Sequence, residues 1–191
     1  MLLTVGRPNL RDYLAPKVLS ELGFPLKAET VVDRYLGWSP SRLLQEVEKA
    51  GHKVPADAAI RLSQRRKKHI SFHNPQAVEG VRKALEMLRA AGVKLCASSV
   101  WGVEEMEETL RSHGLENSFD AMCCLSVDEK EGSSPPGPGL HLKCARSLGV
   151  SPEQCVVIDD SVAGIEGGIA AGCKAIGFMG GSHLGDGWVD R

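Results

Sequence analysis

The run Cys155-Val156-Val157-Ile158-Asp159-Asp160-Ser161-Val162-Ala163-Gly164 decides the architecture. Its first four residues are apolar, as in a strand buried on both faces, and the chain then turns polar and enters a helix. The spacing predicts a strand over Cys155 to Ile158 and a helix over Val162 to Ala171 stopped by Gly172. Outward from this run the same grammar recurs. Val78 to Ala91 reads as an amphipathic helix closed by Gly92, and Val93 to Ala97 as a short strand ending in Ser98-Ser99. Gly102 to His113 is a helix stopped by Gly114, Ala121 to Leu125 a strand, Leu140 to Leu148 a helix stopped by Gly149, and Lys174 to Phe178 a final strand. Strands alternating with helices imply an α/β fold whose parallel sheet is covered on both faces. Functional groups gather at the carboxyl ends of such strands, where Ser98, Ser99, Asp159 and Asp160 fall.

Upstream the pattern differs. Leu10, Leu14, Val18 and Leu22, then Leu43, Leu44 and Val47, recur at helical spacing, and Ser39-Pro40-Ser41 is a helix start with proline in the first turn. The chain therefore divides into residues 1–9, a helical unit over 10–74 and an α/β core over 75–191. Glu129 to Gly139, EKEGSSPPGPG, is too rich in Gly, Pro and Ser for regular structure and forms a loop at the functional edge.

Bulk properties exclude several classes of function. A formal charge of -1 gives no electrostatic footprint for nucleic acid, and the one strong basic run, Arg65 to His69, reads as a solvated helix end. No apolar run approaches the length of a membrane span, and Met1 to Gly6 is too short for a signal peptide, so a cytoplasmic location is expected. The six cysteines form no CxxC pair and sit mostly in apolar segments, as reduced core residues do.

Two adjacent carboxylates directly after a buried strand are costly to hold unless something positive compensates. Asp159 and Asp160 therefore suit magnesium, which takes one or two carboxylates and keeps several waters. The other reading is helix capping by Asp160 or Ser161. Ser98 and Ser99, between strand and helix, suit a phosphate oxygen; a plain turn accounts for them equally.

Val93-Lys94-Leu95-Cys96-Ala97-Ser98-Ser99 and the run from Cys155 to Gly164 resemble the second and fourth motifs of the haloacid dehalogenase-like superfamily, in its beta-phosphoglucomutase and sugar-phosphatase branch. Glu79-Gly80-Val81, Leu148-Gly149-Val150 and Ala171-Gly172 extend the likeness through the core. Leu22-Gly23-Phe24-Pro25-Leu26 and Arg34-Tyr35-Leu36-Gly37-Trp38-Ser39 resemble that branch's helical cap. The resemblance implies a Rossmann-like core with a small cap domain, a Mg2+ cofactor and a small phosphorylated metabolite of the sugar-phosphate class. It implies that Asp160 ligates the metal with Asp159 beside it, that Ser98 binds phosphate with Ser99, and that Arg34 and Gly37 face the substrate. In that family one aspartate forms an aspartyl-phosphate and a second protonates the leaving group.

The sequence departs from the family at three places. The nucleophile motif DxDG is absent and is expected at or before Met1; Met1 to Gly6 could fill that strand position but offers no carboxylate. Pro135 stands where the family's GKPxPD-like stretch has its lysine, with Lys130 the nearest substitute as a phosphate-binding cation. The closing elements after Gly180 are short. An impaired phosphatase, or a truncated or mis-started one, is therefore expected. The alternatives are a non-catalytic relative that binds a phosphorylated ligand or protein partner, a phosphomutase, or a decaying gene product. No oligomeric state follows.

Overall fold

Four helices of the α/β half end in one kind of turn, which delivers the chain from helix into strand. They are α2 (Val81–Ala90), α3 (Val103–Ser112), α4 (Gly139–Leu148) and α5 (Val162–Ala170), following α1 (Pro40–Lys49) of the upstream segment. After α2, Gly92 adopts φ 72°. The Val93 N–H then donates to the Leu88 carbonyl at 3.0 Å and the Gly92 N–H to Arg89 at 2.9 Å. After α5, Cys173 donates to Gly168 and Gly172 to Ile169, both at 2.9 Å. Such a turn satisfies carbonyls left open at the helix end and needs a left-handed residue, which glycine supplies without strain. The computed structural model describes residues 19–21, 24–27, 30, 34–64, 77–100, 102–125 and 135–180.

The strands are β1 (Cys96–Ser99), β2 (Ala121–Cys124), β3 (Val156–Asp159) and β4 (Lys174–Gly177). All pairing is parallel, as the alternation predicts. β1 pairs with β2, Cys96 opposite Ala121 and Ser99 opposite Cys124. β3 pairs with β4, Val156 opposite Lys174 and Asp159 opposite Gly177. Among the described residues these are two two-stranded sheets, not one four-stranded sheet, since β1 and β3 do not pair with each other. Helix α4 bridges the halves by packing on β1, β2 and α5. The expected filler strand at Met1 to Gly6, the Arg65 to His69 run and the segment after Gly180 lie outside the described residues.

Strand edges differ from the sequence reading by one to three residues. β1 starts at Cys96, not Val93, because Val93 is exposed and the Leu95 N–H is taken by the Asp120 carboxylate at 2.7 Å. β3 runs one residue further than expected, so Asp159 closes the strand. The main core lies under α2 and α3, where Leu85, Leu95, Ala97, Met106, Leu110, Leu115 and Cys124 cluster.

In the upstream segment, Ser39 caps α1 by accepting the Arg42 N–H at 3.3 Å, with Pro40 in the first turn as the sequence predicts. Leu19, Leu43 and Val47 form one apolar cluster, and Leu44, Ala58 and Leu62, the last two on a helical stretch over 58–64, form another. Ser63 Oγ donates to Glu105 Oε1 on α3 at 3.3 Å, tying this segment to the α/β half. Among the described residues no helix is long and apolar enough to cross a membrane.

Candidate active site at the strand ends

At the end of β3 two residues lock one carboxylate. Asp159 Oδ1 accepts the Ser161 N–H at 2.8 Å and the Ser161 hydroxyl at 2.6 Å. Ser161 Oγ in turn accepts the Gly164 N–H at 3.0 Å, so the residue that caps α5 also orients Asp159. A methyl group at position 164 would fall on the Asp159 carboxylate, so only glycine lets α5 start this close to the strand. Helix capping, the competing account of this stretch, is performed by Ser161, not Asp160.

Asp159 and Asp160 are buried, at 7% and 6% exposure, which puts two adjacent negative charges in a place where each is costly to hold. The N-terminal dipole of α5 offsets part of that cost. The remaining donor set, hard carboxylate oxygens at a strand end, fits a magnesium ion better than a softer metal.

The end of β1 is arranged differently. Side chains alternate along a strand, so Ser98 shares the face of Cys96 and Ser99 that of Ala97. The Ser98 hydroxyl is enclosed without a hydrogen-bond partner and lies near enough to Cys144 to favour that residue's thiolate. Ser99 is the terminal residue of β1 and is half-buried. Lys130 lies outside the described residues. Lys143, which the sequence did not single out, donates from Nζ to the Cys124 carbonyl at the end of β2, at 2.7 Å.

The upstream segment reaches the same edge at two points. Gly37, at φ 86°, packs so tightly that a Cβ there would overlap Ser161 Oγ and stand 3.3 Å from Ala163 Cβ. Arg34, its expected companion, is exposed. Arg42, which the sequence did not single out, stacks over the Trp38 ring at 4.3 Å. Its Nη1 donates to the Pro135 carbonyl at 3.4 Å, which brings a guanidinium to the residue standing where the lysine was expected.

His141, also unmarked in the sequence, is 3% exposed, and neither ring nitrogen has a hydrogen-bond partner. Burial pulls its pKa down to about 4, so the ring is neutral at physiological pH. It sits against α5 where Gly167 leaves room: a Cβ there would be 3.0 Å from both His141 Cε1 and the Gly137 carbonyl.

A family model described as haloacid dehalogenase-like hydrolase matches residues 14–178. Hexitol phosphatase B of Escherichia coli (strain K12) is 36% identical over 97 residues, covering 51% of this chain but only 42% of that relative. Phosphoglycolate phosphatase of Thiobacillus denitrificans is 27% identical over 168 residues, 84% of this chain and 72% of that protein. Among solved structures, a haloacid dehalogenase-like protein of unknown function from Agrobacterium tumefaciens aligns with a TM-score of 0.60 at 30% identity, covering 88% of this chain and 74% of that one. A beta-phosphoglucomutase from Clostridium difficile aligns with a TM-score of 0.72 at 19% identity, covering 92% and 81%, a likeness of fold.

Proposed function

The chain belongs to the haloacid dehalogenase-like hydrolases, and from that premise we propose that it falls in their sugar-phosphatase branch and carries the metal-binding and phosphate-binding parts of a phosphate-monoester site. The ligand is a small phosphorylated metabolite of the sugar-phosphate class. The observation that carries the proposal is the locked pair at the end of β3, where Ser161 and Gly164 hold Asp159 and both aspartates are buried.

Each residue then has a task. Asp160 and Asp159 hold magnesium, which supplies charge neutralisation at the phosphoryl oxygens. Ser99, at the end of β1, takes the phosphate contact that the sequence reading gave first to Ser98, because the Ser98 hydroxyl is enclosed on the face of Cys96. Arg42, seated on the Pro135 carbonyl, supplies the positive charge expected of a lysine at that position. The segment around Gly37 acts as the cap over the site, with exposed Arg34 meeting the rest of the substrate.

The 191 residues hold no DxDG motif, the source of the covalent nucleophile in the family that the sequence resembles. Metal and acid-base effects alone supply only part of the usual acceleration. These residues therefore bind a phosphorylated ligand and turn it over poorly or not at all. Pro135, standing where the family has its lysine, favours a binding role.

Hydrolysis of para-nitrophenyl phosphate by the purified chain with magnesium, beside an Asp159→Ala/Asp160→Ala double variant, tests this reading. No turnover above the double variant is expected from a folded sample. Magnesium-dependent turnover that disappears in the double variant would show that another group has replaced the nucleophile, and would overturn the binding role.

A further inference from the structure

Three cysteines far apart in sequence converge beneath the end of β1. Cys96 lies on β1, Cys123 on β2 and Cys144 on α4, and their three Sγ atoms lie within 4.8 Å of one another. The pairing register explains the convergence. Cys123 stands opposite Ser98, so it shares a sheet face with Cys96, two residues before Ser98, and α4 lowers Cys144 onto that face.

We propose that these three cysteines bind a thiophilic cation, zinc being the physiological candidate, in a site separate from the carboxylates of β3.

Geometry supports it first. Zinc–thiolate bonds of about 2.3 Å in tetrahedral directions place sulfurs roughly 3.8 Å apart, so this cluster needs to contract by no more than about 1 Å. The donor type selects the metal: sulfur ligands favour zinc and similar soft cations over magnesium, which stays with the β3 oxygens. Two hydroxyls flank the sulfurs. Ser147 Oγ lies 3.4 Å from Cys123 Sγ, and the enclosed Ser98 hydroxyl beside Cys144 has no other partner. Both can donate to a metal-bound thiolate, the role outer groups play in orienting and tuning ligands.

Cys144 is half-buried, whereas Cys96 and Cys123 are buried, so an ion reaches the cluster from the side of α4. Binding then forms three S–Zn bonds and releases the S–H protons to buffer, leaving a complex of charge -1 if all three thiols ionise. The consequence is mechanical, because one ion ties β1, β2 and α4 together on the face of β1 that carries Cys96 and Ser98.

The test uses the whole chain, reduced, loaded with Zn2+ and dialysed, with metal measured by mass spectrometry. One zinc per chain is expected. Cys144→Ser is expected to lose it while keeping its far-ultraviolet circular dichroism, and Cys155→Ser, outside the cluster, to retain it. Cobalt(II) in place of zinc is expected to give thiolate charge-transfer absorption, which binding at the β3 carboxylates would not produce. Should Cys144→Ser fail to fold, the unaltered chain still decides, since Zn2+ should slow alkylation of Cys96, Cys123 and Cys144 but not Cys155. A folded chain holding no more zinc than Cys144→Ser, equal alkylation with and without zinc, or a disulfide between two of the three would overturn the proposal.

Discussion

The two parallel strand pairs are alike in topology and opposite in chemistry. The β1–β2 pair rests on the larger apolar core, with Leu85, Leu95 and Leu115 at 1% exposure or less, and its polar residues end the strand. The β3–β4 pair has a thin core of Val157, Ala171 and Cys173, and leaves Val156, Ile176 and Met179 exposed. What it has instead is close backbone approach. Gly164, Gly167 and Gly168 of α5 let the helix touch Asp159, His141 and Val157 respectively. One half is held by side-chain volume. The other gives up volume so that two carboxylates can be enclosed at a strand end, and the difference separates the main apolar core from the proposed binding site.

That contrast is broken most forcefully in the first half. Leu85→Ala removes a side chain at 1% exposure from the main core and is expected to cost roughly 2–5 kcal/mol in urea unfolding. A loss under about 1 kcal/mol would deny that this cluster is the stabilising one.

The second-largest effect comes from His141, which links the halves through α4 and α5. The unfolded chain takes up a proton near the ordinary imidazole value of 6.5, whereas the folded chain does so only near 4. Between those values the unfolded state holds more protons, so stability present above pH 6.5 is lost as pH falls towards 4, by about 3 kcal/mol. Across that interval the unfolding midpoint of the chain should fall relative to that of His141→Leu, which has no imidazole to protonate. A parallel decline in both would assign the acid sensitivity to other groups.

Smaller changes sharpen the second half. Gly164→Ala puts a methyl group on the Asp159 carboxylate and is expected to cost about 1–3 kcal/mol, with magnesium affinity falling further than that loss predicts. Calorimetric magnesium titration of the folded variant reads this, and unchanged affinity would separate Gly164 from the site. Ser161→Ala removes the cap of α5 and one of the bonds to Asp159, for about 1 kcal/mol in thermal unfolding. A variant as stable as the parent would mean the cap is dispensable.

The sequence made the half built on local patterns legible. Apolar runs, helix periodicity and glycine stops placed every strand and α-helix among the described residues of the α/β half to within a few residues, because each signal is local, but not the short 3-10 turn over Pro152–Gln154. It placed the strand ends less well. The start of β1 depends on Asp120, which is distant in sequence, and the one-residue extension of β3 depends on pairing with Gly177. Site residues followed the same division. Asp159 and Asp160 announce themselves as charges after an apolar run. Ser98 and Ser99 were found as a pair, but only the strand's alternation tells which one faces the sulfurs. His141, Arg42 and the Cys96, Cys123 and Cys144 cluster left no local trace: each acquires its setting from a contact made by the fold, with Gly167, with Pro135 or with the other thiols.

Whether the buried carboxylates at the end of β3 bind magnesium together with phosphate is read by calorimetric titration of inorganic phosphate into the purified chain, with and without Mg2+ and beside a folded Asp160→Asn variant. Phosphate binding that requires Mg2+ and is lost in Asp160→Asn is expected. Phosphate binding that is indifferent to Mg2+, unchanged in the variant, or absent from the folded chain would contradict it.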